Sequence, residues 1–166
     1  MKRLTLLLLL CPVLAVASAA PWRVRPDGAG PLRIGMDFDE VNRILGGGLR
    51  RTQPGLRGSE DCDQLPVPDR PGMWLMFLGD RLARVDVAEP GVKSWRGIGV
   101  GDSIGQLRTA HPRAVESVHK YDDEERYYTE LAPGARAGIR FETGKGRVGL
   151  FYAGKAEAIR LVEGCL

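Results

Sequence analysis

The sequence predicts an α+β fold of two tandem units, each a short helix followed by an antiparallel β-meander, whose strands can join into one continuous sheet. Three observations lead to this prediction. A stretch of the chain recurs, helix-capping residues begin both copies, and the hydrophobic period changes to two after each predicted helix. We divide the chain into a signal peptide (1–19), an N-terminal extension (20–31), repeat unit 1 (32–88), a linker (89–97) and repeat unit 2 (98–166).

The recurring stretch lies at the start of each unit. Residues 34–41 align on residues 100–107 without a gap, and the residues match in chemical type at most positions. A second match follows at a similar distance in both copies: residues 74–82 and residues 138–148 each read as an apolar strand, a Gly-containing turn and a basic residue. These paired matches favour an internal duplication.

Each unit is predicted to open with a helix. Asp37 and Ser103 are good N-cap residues because their side-chain oxygens can accept hydrogen bonds from unpaired backbone N–H groups. Glu40 and Gln106 stand three residues later, at the position that completes a capping box. Apolar residues at helical spacing follow both caps, before residues 46–48 and Pro112 end the helices.

Alternating residues after each helix predict hairpins. In the first unit the strands are 74–78 and 82–87, with a weaker strand at 62–65 and a loop at 66–72. In the second unit they are 115–121, 127–131, 139–142 and 148–152, and a last strand at 158–163 brings Cys165 to the sheet. We interpret Trp22, Trp74 and Trp95 as packing residues of this scaffold.

The first nineteen residues have the pattern of a secretory signal peptide. A positive start precedes an apolar stretch from Leu4 to Val16, and small residues provide a cleavage site, which we place after Ala19. One alternative is a membrane anchor, but the apolar stretch is shorter than the roughly 20 residues that span a bilayer. Lipidation at Cys11 is the other alternative, but Leu10 occupies the place where such sites need a small residue.

Charge excludes two classes of partner. The net charge of the whole chain is +3, but two of its 24 Lys and Arg residues lie in the predicted signal peptide. The mature chain therefore carries 22 basic residues against 21 acidic ones, without a basic cluster. A protein that binds nucleic acid or an anionic membrane needs such a surplus or cluster, so we predict neither partner and no transmembrane segment in the mature chain.

Two cysteines remain after the signal peptide, Cys62 and Cys165. An even number of cysteines in an exported chain favours a disulfide between them. The alternative is a pair of separate buried thiols. A catalytic dithiol is disfavoured because the two residues lack Cys-x-x-Cys spacing.

A helix followed by an antiparallel meander, twice, resembles the β-lactamase inhibitor protein superfamily, which includes small outer-membrane lipoproteins of the SmpA/OmlA type. The resemblance rests on the Gly-x-Asp/Ser-x-x-Glu/Gln helix starts at residues 35–40 and 101–106 and on the hairpins. It implies an exported protein that binds other proteins without catalysis. The stretches at 99–103 and 162–165 also resemble uncharacterised exported proteins of Gram-negative bacteria.

Ser103 offers an alternative function as a hydrolase. Residues 101–105 satisfy the Gly-x-Ser-x-Gly nucleophile elbow. That motif requires a large parallel sheet and an acid and then a histidine downstream, whereas His111 and His119 follow Ser103 too closely. The repeat also places Asp37 where Ser103 stands, which suits a helix cap but not a nucleophile.

The acidic turn 122–125 and the two histidines do not predict a metal site. No His/Cys spacing defines a tetrahedral set, and the turn lacks the spaced ligands and glycine of a calcium loop. We interpret the turn as a solvated hairpin tip. The sequence therefore predicts neither a metal nor a cofactor.

The hairpin around this turn is the predicted interaction surface. Tyr and Arg are enriched at protein interfaces, although cross-strand aromatic pairs also stabilise hairpins that bind nothing. The candidate residues are His119, Tyr121, Arg126, Tyr127 and Tyr128.

The sequence thus favours an exported non-catalytic binding protein, acting as an inhibitor, adaptor or envelope component in the periplasm or outside the cell. Its predicted partner is another envelope or secreted protein. The open alternatives are a small secreted hydrolase using Ser103 and a periplasmic small-ligand binder.

Overall fold

The computed structural model describes residues 22–57 and 59–165. The predicted signal peptide, the cleavage after Ala19 and Cys11 lie outside these residues. In chain order the elements are β1 (Arg23–Arg25), β2 (Gly28–Ala29), β3 (Leu32–Arg33), α1 (Phe38–Ile44), β4 (Cys62–Pro66), β5 (Met73–Leu78), β6 (Arg81–Val87), β7 (Lys93–Ser94), α2 (Ile104–Ala110), β8 (Val115–Val118), β9 (Arg126–Leu131), β10 (Ala137–Gly144), β11 (Arg147–Lys155) and a 3₁₀ turn (Ala158–Arg160).

A seven-stranded antiparallel sheet dominates the molecule, in the order β4-β5-β6-β11-β10-β9-β8. Strand β6 lies near its middle, where Val87 pairs with Met73 of β5 and with Phe151 of β11. Six of the seven residues of β6 are buried. A strand with both faces covered and both edges paired is a central strand, and β6 joins the two halves of the chain into one sheet.

A smaller sheet joins the start of the chain to its middle. Its order is β3-β2-β1-β7, and β1 pairs with β7 in parallel through Val24 and Ser94. The predicted N-terminal extension therefore contains β1 and β2, and the predicted linker contains β7. The side chains of Val24 and Leu32 are fully buried, so this sheet covers part of the core.

The main core lies between the helices and one face of the large sheet. The Val41 side chain of α1 and the Leu107 side chain of α2 are fully buried there, together with Leu75, Val85 and Phe151 of the sheet. Each helix has seven residues and buries one side chain completely. Helices this short are stabilised by packing rather than by their own propensity.

Both helix starts are fixed to a hairpin by equivalent backbone hydrogen bonds. The N–H of Gly35 donates to the carbonyl of Leu82 at 2.8 Å, and the N–H of Gly101 donates to the carbonyl of Val148 at 2.8 Å. Both glycines have φ near +90°, which is a conformation that glycine adopts without the steric cost of a side chain. The repeated Gly-x-Asp/Ser pattern thus has a local geometric cause.

The predicted fold class, two tandem helix-plus-meander units, is wrong. The molecule is mostly β, with one seven-stranded sheet in which β6 bonds directly to β11, and a second sheet of four short strands. Only two short α-helices occur in the described residues. The sequence pattern describes local segments, whereas the long-range pairings that merge the strands into one sheet leave no local pattern.

The predicted last strand at 158–163 is also wrong. Residues Ala158–Arg160 form a 3₁₀ turn, and turns continue towards Cys165. The guanidinium of Arg84 donates to the carbonyl oxygens of Ala158 and Leu161, at 2.9 and 2.6 Å. These two hydrogen bonds hold the segment in its turn conformation.

The structure contains the disulfide that the sequence predicts, between Cys62 in β4 and Cys165, with Cα atoms 5.3 Å apart. It fastens the end of the described chain to an edge strand of the large sheet. Among the described residues, no helix has the length and apolar character needed to cross a bilayer.

Candidate functional site

We call the face of the large sheet that turns away from the helices the outer face. One row of directly paired residues crosses all seven strands on this face: Pro66, Trp74, Asp86, Tyr152, Arg140, Thr129 and Val115. These residues alternate with the core residues of the same strands. The row therefore brings an acid, a base and two aromatic rings onto the same side of the sheet.

The outer face carries a cavity of about 500 Å³. Strands β4, β5, β6, β10 and β11 form its floor, and the loop around Leu56 and the segment 162–165 form its walls. Trp74 is 40% exposed at this cavity, and Leu56 is 74% exposed. We call this site the outer-face cavity.

A buried ion pair lies in the floor of the cavity. The Nε atom of Arg84 is 2.7 Å from Oδ1 of Asp86, and the Gln64 side-chain amide donates to Oδ2 of Asp86 at 2.9 Å. Burial raises the pKa of Asp86 to about 6, although Arg84 and Gln64 oppose this shift. A carboxyl group of this kind changes its charge close to neutral pH, which is common at functional sites.

A second group of polar side chains extends from the cavity towards the predicted interaction surface. The hydroxyl of Tyr152 donates to Glu142 at 2.7 Å, and the other oxygen of Glu142 is 3.4 Å from Nε2 of His119. The rings of His119 and Tyr127 lie 4.6 Å apart. The cavity and the β8–β9 hairpin therefore share one polar network.

The predicted interaction residues fall into two groups. Three of them, His119, Tyr121 and Tyr127, cluster on one side of the hairpin. The centre of the His119 ring lies 6.1 Å from that of Tyr121 and 4.6 Å from that of Tyr127. Tyr121 is 59% exposed, whereas Tyr127 is only 4% exposed. Tyr128 points to the other face, where its hydroxyl accepts from Arg108 at 3.2 Å. Arg126 donates to backbone carbonyls of the hairpin turn.

Strand β8 is the terminal strand of the large sheet, and all four of its residues are exposed. Val115 is 70% exposed and Val118 is 55% exposed. Its one charged residue, Glu116, forms ion pairs with Arg108 and Arg126. At the opposite end of the sheet, β4 is mostly buried and is tied to Cys165. The described chain therefore leaves one edge of the large sheet uncovered.

Ser103 acts as a helix cap in this structure. Its Oγ accepts from the Gln106 N–H at 3.3 Å and donates to the Gln106 side chain at 2.9 Å, and Gln106 bonds back to the Ser103 N–H at 2.9 Å. Asp37 caps α1 by accepting from the N–H of Glu40 at 2.8 Å. Within the described residues, the reciprocal side-chain bond of a full capping box forms at Ser103 only.

A serine, a histidine and an acid do meet elsewhere, in the core. Oγ of Ser94 lies 3.2 Å from Nε2 of His111, and Nδ1 of His111 lies 2.9 Å from Glu130. Serine contacts histidine and histidine contacts the acid, as in a Ser–His–acid catalytic triad. However, Ser94 is fully buried and its Oγ accepts a hydrogen bond from the N–H of Ile98, so a substrate has no access to it.

These buried groups form an anchoring network instead. Burial lowers the pKa of His111, with Glu130 opposing the shift, which favours the neutral form of the ring. Burial disfavours the charged form of Glu130, but bonds from Arg113 and His111 outweigh it and lower its pKa. The network joins β7, the end of α2 and β9.

The two histidines thus lie in separate environments. No group of three or more His, Cys, Asp or Glu side chains is arranged to hold a metal ion within residues 22–57 and 59–165. His111 belongs to the core network, and His119 belongs to the edge of the outer face.

Sequence reasoning missed three surface residues: Trp74, Val115 and Val118. From the sequence, Trp74 is interpreted as a packing residue, because a tryptophan in an alternating strand indicates packing on either face. The alternation of the strand could have indicated its position, because the neighbours Met73 and Leu75 point into the core and Trp74 must then point to the opposite face. The two valines fit an ordinary strand, and their exposure depends on the strand order.

No protein-family model and no curated protein matches this chain. A solved structure does: the crystal structure of an extracellular protein containing a SCP domain from Bacillus anthracis strain Ames, with a TM-score of 0.51 and 13% identity. The match covers 90% of this chain and 51% of the other, so the chain spans about half the length of the protein it matches. At this identity the two proteins are similar in fold.

Proposed function

We propose that this chain is an exported, non-catalytic binding protein, and that another exported or envelope protein adds an extended segment to the edge of strand β8. The observation that carries the proposal is the uncovered edge of the large sheet. An open edge presents unpaired N–H and C=O groups in a row, and many binding proteins use such an edge to accept a strand from a partner.

Export is supported by three features. The first nineteen residues have the signal-peptide pattern, for which we predict cleavage after Ala19. The Cys62–Cys165 disulfide suits the oxidising periplasm or the exterior of the cell. The structural neighbour is itself described as an extracellular protein.

The composition of β8 supports strand addition. Natural proteins protect open edges with charged side chains, but Glu116, the one acid in the strand, is held by Arg108 and Arg126. Val115, Val118 and Tyr121 remain as exposed apolar surface beside the backbone. A partner strand can bury these side chains while it pairs with the main chain.

The sequence resemblance supports the same class of function. The helix starts and hairpins resemble the β-lactamase inhibitor protein superfamily, whose members bind other proteins through the sheet face or loops. Ser103 forms a helix cap and Ser94 is buried, so neither of these two serines supports the hydrolase alternative.

Site-specific crosslinking tests the proposal. The mature protein is exported in its native envelope with a photo-crosslinking amino acid at position 118 or, as a control, at position 44. Ile44 is 39% exposed and lies in α1, away from β8. We expect a defined adduct from position 118 and none from position 44. Equal capture from both positions, or none from position 118, contradicts the proposal.

A second measurement separates strand addition from side-chain contact. Once the partner is purified, backbone amide hydrogen exchange in residues 115–118 should slow on binding, because strand pairing protects the main chain. Val115→Lys should weaken capture, whereas Ile44→Lys should not. Unchanged exchange in β8 with the partner bound contradicts strand addition.

A further inference from the structure

The outer-face cavity is a separate site from the β8 edge, and its lining is unequal in charge. Four carboxylates line it against two guanidinium groups. Arg84 is paired with Asp86 at 2.7 Å, and Arg57 lies 3.8 Å from Asp63. Lys120 lies 3.3 Å from Glu163, so Glu142 remains as the excess negative charge of the lining, which attracts cations and repels anions.

Two aromatic rings stand beside the acids of the cavity floor. Trp74 pairs directly with Asp86 across β5 and β6, and Tyr152 pairs with Asp86 across β6 and β11. A cation is attracted both to the face of an aromatic ring and to a carboxylate. The protein itself shows this arrangement, since the Arg84 guanidinium lies 4.5 Å from the centre of the Tyr152 ring.

The remaining walls are apolar. Leu56, Leu150 and Val162 line the cavity together with the disulfide, and its volume of about 500 Å³ suits a small molecule. The loop and the terminal segment enclose the site at its sides, which leaves less room for an extended chain than the β8 edge does.

The wall at 162–165 and the turn before it are held by a disulfide, two hydrogen bonds and an ion pair. The disulfide holds Cys165, Arg84 donates to the carbonyls of Ala158 and Leu161, and Lys120 lies 3.3 Å from Glu163. This wall needs little ordering when a ligand binds, which favours affinity.

We propose that the outer-face cavity binds a small organic cation, an amine or guanidinium group attached to an apolar body. The apolar body lies against Leu56, Leu150 and Val162. The cationic group lies at Glu142, which pairs with Leu150 across β10 and β11, and the Trp74 ring lines the cavity further along the apolar body. The other contacts of Glu142 are with Tyr152 and His119.

Three ligands of nearly equal size test this proposal: 4-phenylbutylamine, 4-phenylbutanoate and 4-phenylbutanol. Each is titrated into the ¹⁵N-labelled mature protein at pH 7, and the indole N–H signal of Trp74 is followed by NMR. We expect the amine to bind about tenfold more tightly than the alcohol, and the carboxylate to bind most weakly. Preference for the carboxylate, or equal affinity of all three, overturns the proposal.

Two variants and one control test whether the amine binds in the outer-face cavity. Glu142→Gln and Trp74→Ala should each weaken amine binding about tenfold, since the first removes the attraction for the cation and the second removes a contact with the apolar body. Ile44→Ala serves as the control because its exposure, 39%, matches the 40% of Trp74 while it lies on α1. Amine binding that survives both cavity variants, or that Ile44→Ala weakens equally, overturns the assignment.

Backbone NMR spectra of the variants show whether a loss of binding comes from unfolding. Glu142→Gln preserves the size of the side chain, so its spectrum should stay that of the folded protein while affinity falls. Failure of amine binding leaves the β8 proposal intact, because the crosslinking experiment uses neither the cavity nor its ligands.

Discussion

The Oε2 atom of Glu130 lies 2.9 Å from Nδ1 of His111, where both side chains are almost fully removed from water. The second carboxylate oxygen accepts from Arg113 at 2.8 Å and lies 3.4 Å from Arg96. The His111 ring is in turn 5.0 Å from Trp95 and 4.8 Å from Phe141, centroid to centroid. Glu130 therefore links one end of the large sheet to the short strand β7 and to α2.

Glu130→Ala should lower the free energy of unfolding by about 2 kcal/mol, because it leaves the buried His111 ring without its hydrogen-bond partner and Arg96 and Arg113 without their carboxylate. Urea denaturation at pH 7 measures the change. Glu124→Ala is the control, since Glu124 is an exposed residue at the hairpin tip. A loss no larger than that of the control would show that the network does not stabilise the fold.

The burial of Ser94 predicts chemical inertness. A fluorophosphonate probe needs an exposed, activated serine, whereas Ser94 is fully buried and Ser103 is bonded to Gln106. We expect no change in the intact mass of the mature protein after incubation, while a serine esterase in the same tube is labelled. Labelling of Ser94 or Ser103 would restore the hydrolase alternative.

Local chemistry explains what the sequence could predict. A cap such as Asp37 or Ser103 acts within three residues, so its pattern is visible in the chain itself, and α1 and α2 follow these caps. The strands with clear alternation, such as β5 and β6, lie close to their predicted bounds. Both kinds of element depend on neighbours in sequence.

Long-range pairing explains what the sequence could not predict. Strand β7 has two residues and exists because Val24 pairs with Ser94 from a distant part of the chain. The triad-like contact of Ser94 and His111 depends on the same pairing. Short strands with no alternation give no signal, and the contacts they create are therefore hidden as well.

The disulfide should contribute substantially to stability. It closes a separation of 103 residues, and a loop of about 100 residues is worth up to about 4.7 kcal/mol in the chain-entropy model. We expect the double variant Cys62→Ala/Cys165→Ala to lose about 2–4 kcal/mol of unfolding free energy in urea. The matched control is the reduced wild-type protein, whose mass increases by two hydrogens. Equal masses with and without reductant would contradict the disulfide.

Asp86 should make stability depend on pH in an unusual direction. Burial raises its pKa in the folded protein from 3.8 to about 6, and the charged or titratable side chains facing it are Arg84, Glu142 and Tyr152. The folded protein therefore holds the proton more tightly than the unfolded chain does. The stabilisation from this group is complete below pH 3.8 and is lost as the pH rises through about 6.

The variant Asp86→Asn isolates this effect, because the amide has the size of the acid but does not titrate. We expect wild type to gain about 2 kcal/mol relative to the variant between pH 7 and pH 4, since each pKa unit corresponds to about 1.4 kcal/mol and the unfolded chain is partly protonated at pH 4. Urea denaturation of both proteins at the two pH values measures the difference. The other titrating groups, including His111 and Glu130, are present in both proteins and cancel. A difference that stays constant, or that favours the variant at pH 4, would show that burial does not control Asp86.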